Sequence, residues 1–119
     1  MNINEQDRRK IEQLLSLDVD GLMSLLPAYD LKYELARFAP EGQLRAGREI
    51  YKRLKKQLYR QVCIEWQYCK KKNSDKYLDP VVLVAAIADV LSSLTVGIPP
   101  FVIATLLFKI GLSNFCHCK

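Results

Sequence analysis

An all-α fold, a small helical bundle, is predicted by three observations in this 119-residue sequence. Apolar residues recur at spacings of three and four along 41–72. Proline and glycine punctuate the rest of the chain at helix-length intervals, and no run of β-branched residues bounded by hairpin turns appears. A chain of this length buries one core of its own and is too short for two. Residues 1–119 therefore read as one domain in three parts: a cluster of three short helices over 1–40, a long basic helix over 41–72, and an apolar helical hairpin over 79–114. With 50% apolar and 26% charged residues, the composition is that of a globular protein and not of a disordered one.

Asn2 or Asn4 is placed to cap a first helix over 5–16, with Ile11, Leu14 and Leu15 on its apolar side. Asp18 caps a second over 19–26, which supplies Leu22, Met23, Leu25 and Leu26 to the core. Pro27 ends it, because proline lacks the amide hydrogen and clashes with the preceding turn. Asp30 caps a third over 31–39, carrying Leu31, Leu35 and Phe38, and Pro40 closes it.

The stretch 41–72 contains no proline, and its glycines, Gly42 and Gly47, lie in its first two turns. Leu44, Gly47, Tyr51, Leu54, Leu58, Val62, Trp66 and Cys69 form one seam. A regular helix of this span would be about 48 Å long, and the seam, chiefly Leu44, Tyr51, Leu54, Leu58, Val62 and Trp66, is expected to serve as an interface with a second copy or a larger partner. The net charge of +5 is concentrated here: ten basic side chains stand against Glu41, Glu49 and Glu65. Arg45, Arg48, Lys52, Lys55 and Lys56 make one stripe away from the seam and are the candidate contacts for an anionic partner.

After the polar run 70–76, Asp79-Pro80 reads as a cap followed by proline at the first helical position. Between Val81 and Phe108 the one charged residue is Asp89. Pro99-Pro100 divides this stretch into arms over 81–96 and 101–114, with Gly97 and Gly111 as end signals. Asp89, Ser92 and Ser93 fall at i, i+3 and i+4, on one face, and are expected to be buried polar groups in a helix–helix contact. A central aspartate costs about 2.5–3.5 kcal/mol in a bilayer, against a return of about 0.3–0.6 kcal/mol for each aliphatic residue. Two core helices are therefore favoured over two membrane spans.

The first ten residues are polar and offer no apolar leader segment, so an intracellular, cytoplasmic setting with free thiols is expected. Cys63 and Cys69, six apart, lie about 120° apart around a regular helix and do not converge as paired metal ligands do. No metal site, cofactor or catalytic residue is expected. The single histidine, His117, sits in the tail, and there is neither a glycine-rich phosphate loop nor a nucleophile elbow. The expected function is that of a non-enzymatic interaction or accessory subunit, associating with itself or with a larger protein. The alternative is a small membrane-associated or membrane-inserting protein, with 81–110 in lipid and the basic helix 41–72 at anionic headgroups. Nonspecific nucleic-acid binding through the same stripe is a weaker reading, since no recognition motif accompanies it.

Overall fold

The computed structural model describes residues 4–29, 40–93 and 97–118, and these are all-α, with no strand among them. Helix α1 (Glu5–Leu15) starts at Asn4, whose side-chain oxygen accepts from the Asp7 amide at 2.7 Å. Helix α2 (Val19–Leu25) starts at Asp18, which accepts from the Gly21 amide at 2.7 Å. Such caps satisfy amides that have no partner within the helix, and each contributes about 1 kcal/mol. The chain tightens after α2 into a 3-10 turn, Leu26–Tyr29, with Pro27 inside it. The third short helix expected over 31–39 lies outside the described residues.

Helix α3 (Pro40–Tyr59) is the longest element. The expected continuation to residue 72 is corrected here. A straight helix of about 48 Å would exceed the longest dimension of the molecule, 43 Å. Regular bonding gives way to a π-helical turn over Arg60–Glu65, in which the Trp66 amide donates to the Gln61 carbonyl, five residues back, at 2.9 Å. Gln67 then takes a left-handed conformation, φ 61°, and a single turn, α4 (Tyr68–Lys71), follows. The break is held by contacts across it. Trp66 packs on Tyr68 and edge-on against Tyr77, and the Lys71 ammonium donates to the Trp66 carbonyl at 2.8 Å.

Helix α5 (Pro80–Leu91) opens as predicted, with Asp79 accepting from the Val81 amide at 2.9 Å and proline at its first position. Helix α6 (Pro100–Ile110) ends at Gly111, whose φ of 108° only glycine takes readily. The short α7 (Leu112–Phe115) turns away from it. The second hairpin arm is therefore two helices.

Helix α6 packs against α1, α2, α5 and α7, and α2 lies across α3. Val102 through Leu107 are all buried, as are Val81, Leu83, Val84, Ala85, Ala86, Ile87, Ala88 and Leu91 of α5. A helix apolar on every side must be enclosed on every side, and here the other helices do the enclosing. Within α6 the Thr105 hydroxyl is satisfied by donating to the Phe101 carbonyl at 2.7 Å. Neither arm of the hairpin approaches the ~20 residues of a bilayer span, and among the described residues no helix is long and apolar enough to cross a membrane.

Asp89, Ser92 and Ser93 are exposed, contrary to the expected burial. The reason is where α5 stops. Leu91 is its last residue, so the three polar groups occupy a solvent-facing final turn instead of the middle of a longer helix. The Ser92 hydroxyl closes that turn by donating to the Asp89 carbonyl at 2.7 Å.

Candidate functional site

The seam of α3 faces inward. Ala46, Gly47, Ile50, Leu54, Leu58 and Val62 are buried, and Leu44, Tyr51 and Trp66 are half-buried against the same core. The association surface expected at Leu44, Tyr51, Leu54, Leu58, Val62 and Trp66 is thus corrected to an intramolecular one. The physical cause is that α2 and the 3-10 turn Leu26–Tyr29 pack on α3, and α5 packs on the π turn that follows it, where a second copy would have packed. Gly47 shows how close the approach is: a Cβ there would fall on the Met23 carbonyl of α2.

With that side locked, the opposite side of α3 is presented to solvent. Arg45, Arg48, Lys52, Lys55 and Lys56 are all exposed. Arg53 and Arg60, exposed beside them, widen the stripe into a face; charge alternation along the helix marks them equally well once the buried side is known. Arg48 reaches Asp20 of α2 at 3.3 Å. Among the described residues Arg45, Lys52, Lys55, Lys56 and Arg60 make no ion pair. Glu49 stands within the face and Asp20 at its rim, both exposed.

At the edge of this face lies a cleft of about 190 Å³, lined by Tyr51, Lys55, Ile110, Asn114, Phe115 and His117. Burial pushes the Tyr51 phenol up from its ordinary value, so it stays a neutral donor at neutral pH. Its far wall is the C-terminal tail, where Phe115 meets Tyr59 edge-on with ring centroids 6.1 Å apart and His117 lies 6.2 Å from the same ring. A wider apolar groove of about 350 Å³ runs between Leu14 and Leu17 of α1, Tyr29, and Phe101 and Val102 of α6.

The tail is fastened covalently. Cys63 is bonded to Cys116 and Cys69 to Cys118, with Cα separations of 5.3 and 5.4 Å. All four cysteines are used, so the expectation of free thiols is corrected. The argument that Cys63 and Cys69 diverge holds for a regular helix, and this helix is not regular between them. The π turn and the left-handed Gln67 turn both sulfurs toward the tail. No glycine or proline marks that break, so composition gives no sign of it. The Cys-His-Cys tail is the one sequence feature that hints at a paired arrangement.

No protein family, no curated protein and no solved structure matches this chain.

Proposed function

We propose that this protein is a non-enzymatic interaction module that holds an acidic surface of a protein partner on the outer face of α3. One observation carries the reading: among the described residues four exposed cations of α3, Arg45, Lys52, Lys55 and Lys56, make no ion pair, on a helix whose other side is fixed in the core. A rigid helix spends little conformational entropy on binding, and a concentrated positive field speeds the encounter with an acidic surface. Self-association through this face is opposed by like charge. Glu49 and Asp20 favour a protein over a phosphate polymer or a lipid headgroup layer. A uniform polyanion meets these carboxylates as like charges, whereas a protein surface can place neutral or basic groups opposite them.

The test is a binding titration of the parent protein and a Lys52→Glu/Lys55→Glu/Lys56→Glu variant against three probes: an aspartate- and glutamate-rich peptide, duplex DNA, and phosphatidylserine vesicles. At an ionic strength of about 0.15 M, where the screening length is about 8 Å, the parent is expected to retain the acidic peptide and the variant to lose it. Retention of DNA or vesicles with no retention of the peptide would replace this reading with one of its alternatives.

A further inference from the structure

We propose that Cys63, Cys69, Cys116 and Cys118 form a redox-gated metal site: two disulfides when oxidised, and a four-thiolate site for a soft divalent cation of the zinc class when reduced. The first support is convergence. The Cα atoms of Cys63 and Cys116 are 5.3 Å apart, and those of Cys69 and Cys118 5.4 Å. Cys116 and Cys118, two residues apart, cannot be separated by more than about 7 Å. The Cys69 sulfur lies 3.8 Å from the Cys116 carbonyl oxygen, which places it across the gap between the two pairs. Four sulfurs from three separate segments thus meet at one end of the molecule.

The second support is the backbone that brings them there. Among the described residues two non-glycine residues have positive φ, Gln67 at 61° and His117 at 56°. One stands two residues before Cys69; the other separates Cys116 from Cys118. Each such residue costs on the order of 1–2 kcal/mol, and such costs persist where the surroundings hold the conformation for a purpose. Here both serve the placement of cysteines.

The third support is charge. Lys70, Lys71 and Lys72 follow Cys69 directly, and Arg60 precedes Cys63, with Glu65 the one acidic residue in 60–72. Neighbouring cations favour the thiolate, which is the form that binds metal. A divalent cation held by four thiolates carries a net negative charge, and this basic surround offsets it. Tetrahedral sulfur coordination is what zinc prefers in a closed structural site. With the sulfurs bonded in pairs no thiolate is present, and among the described residues no three His, Cys, Asp or Glu side chains are placed to hold a metal. The oxidised form is therefore metal-free, and the gate is chemical.

The step balances as follows. Each bridge takes two electrons and two protons from one dithiol reductant, which closes into its own disulfide. Two bridges yield four thiols, and the incoming cation displaces their four protons to solvent. Both states pin the tail to the end of α3, so the Tyr59–Phe115 contact and the cleft beside the basic face persist in oxidising and reducing surroundings alike.

The experiment is a titration of the full chain with Co²⁺ after reduction by a phosphine and removal of the reductant under anaerobic conditions. Expected are the visible bands and near-ultraviolet thiolate charge transfer of a tetrahedral four-sulfur cobalt site, saturating at one equivalent and bleached by Zn²⁺. The oxidised protein should show neither. Cys118→Ser should weaken binding by at least about tenfold and shift the bands while the helical circular dichroism is unchanged, and His117→Ala should leave the bands in place. The proposal is overturned if the reduced, helical protein gives no such spectrum, or if Cys118→Ser and Cys63→Ser saturate as the parent does. It is overturned as well if His117→Ala abolishes the bands, or if the reduced chain loses its helical signal and zinc does not restore it. None of these outcomes bears on binding at Lys52, Lys55 and Lys56.

Discussion

Near its start, α3 presses so closely on α2 that Gly47 has no room for a side chain beside the Met23 carbonyl, and Ile50, Leu54 and Leu58 are buried further along the helix. Past Tyr59 the same helix loses its regular bonding, turns through a left-handed Gln67, and is tied to the tail by Cys63–Cys116 and Cys69–Cys118. The first region is held by many weak contacts whose residues recur at helical spacing. The second is held by two covalent bonds and violates that spacing to make them. Close packing rewards regularity, because apolar side chains must present one continuous face. A cross-link rewards only the meeting of its two sulfurs, and the backbone between them adjusts.

That contrast can be broken from the covalent side first. The two loops, with sequence separations of 53 and 49, overlap. With one bridge in place the other closes only a ring of about ten residues, worth about 3 kcal/mol by chain entropy. The first bridge alone is worth about 4 kcal/mol. Replacing all four cysteines by serine is therefore expected to cost about 7 kcal/mol relative to the oxidised parent, and Cys63→Ser/Cys116→Ser about 3 kcal/mol. Guanidinium unfolding without reductant measures both. Equal losses for the double and quadruple variants would show that the bridges do not act as overlapping loops.

On the packed side, Gly47→Ala drives a methyl group into backbone that has no rotamer to yield. Overpacking of this kind costs about 3 kcal/mol, expected as a lower unfolding midpoint with retained disulfides. A midpoint equal to the parent's would mean that α2 and α3 separate freely, contrary to the regular-packing half of the comparison.

Smaller effects come from single polar groups. Asp79 caps α5 and meets Arg8 of α1 at 3.2 Å. The amide bond from Val81, followed by the Arg8 guanidinium, holds its carboxyl below the ordinary value of 3.8. A carboxylate favoured by folding stabilises fully above the unfolded pKa, and the gain is lost as pH falls through the folded one. Asp79→Asn keeps the cap and removes the charge, so it should cost about 0.5–1 kcal/mol at neutral pH, and the difference from the parent should shrink below about pH 4. The least effect is expected at Asp89. Exposed at the end of α5, it should tolerate Asp89→Ala within about 0.5 kcal/mol, whereas a buried, hydrogen-bonded aspartate would cost several times that.

The helical class, the caps at Asn4, Asp18 and Asp79, the proline start of α5 and the identity of the α3 seam are all determined by the sequence alone. Each rests on residues within one or two turns of one another, where spacing and side-chain chemistry act directly. The exposed basic stripe was legible for the same reason. What covers the seam was not, because Leu54 and Leu58 pack equally well against a second copy or against the chain's own helices, and only the path of the whole chain selects among them. The burial expected at Asp89 failed on where α5 ends, which depends on its neighbours more than on its own residues. The end of α3 and the pairing of the cysteines were decided by tertiary structure as well: bonds between residues about fifty positions apart outweigh the local preference of 60–72 to continue as a regular helix.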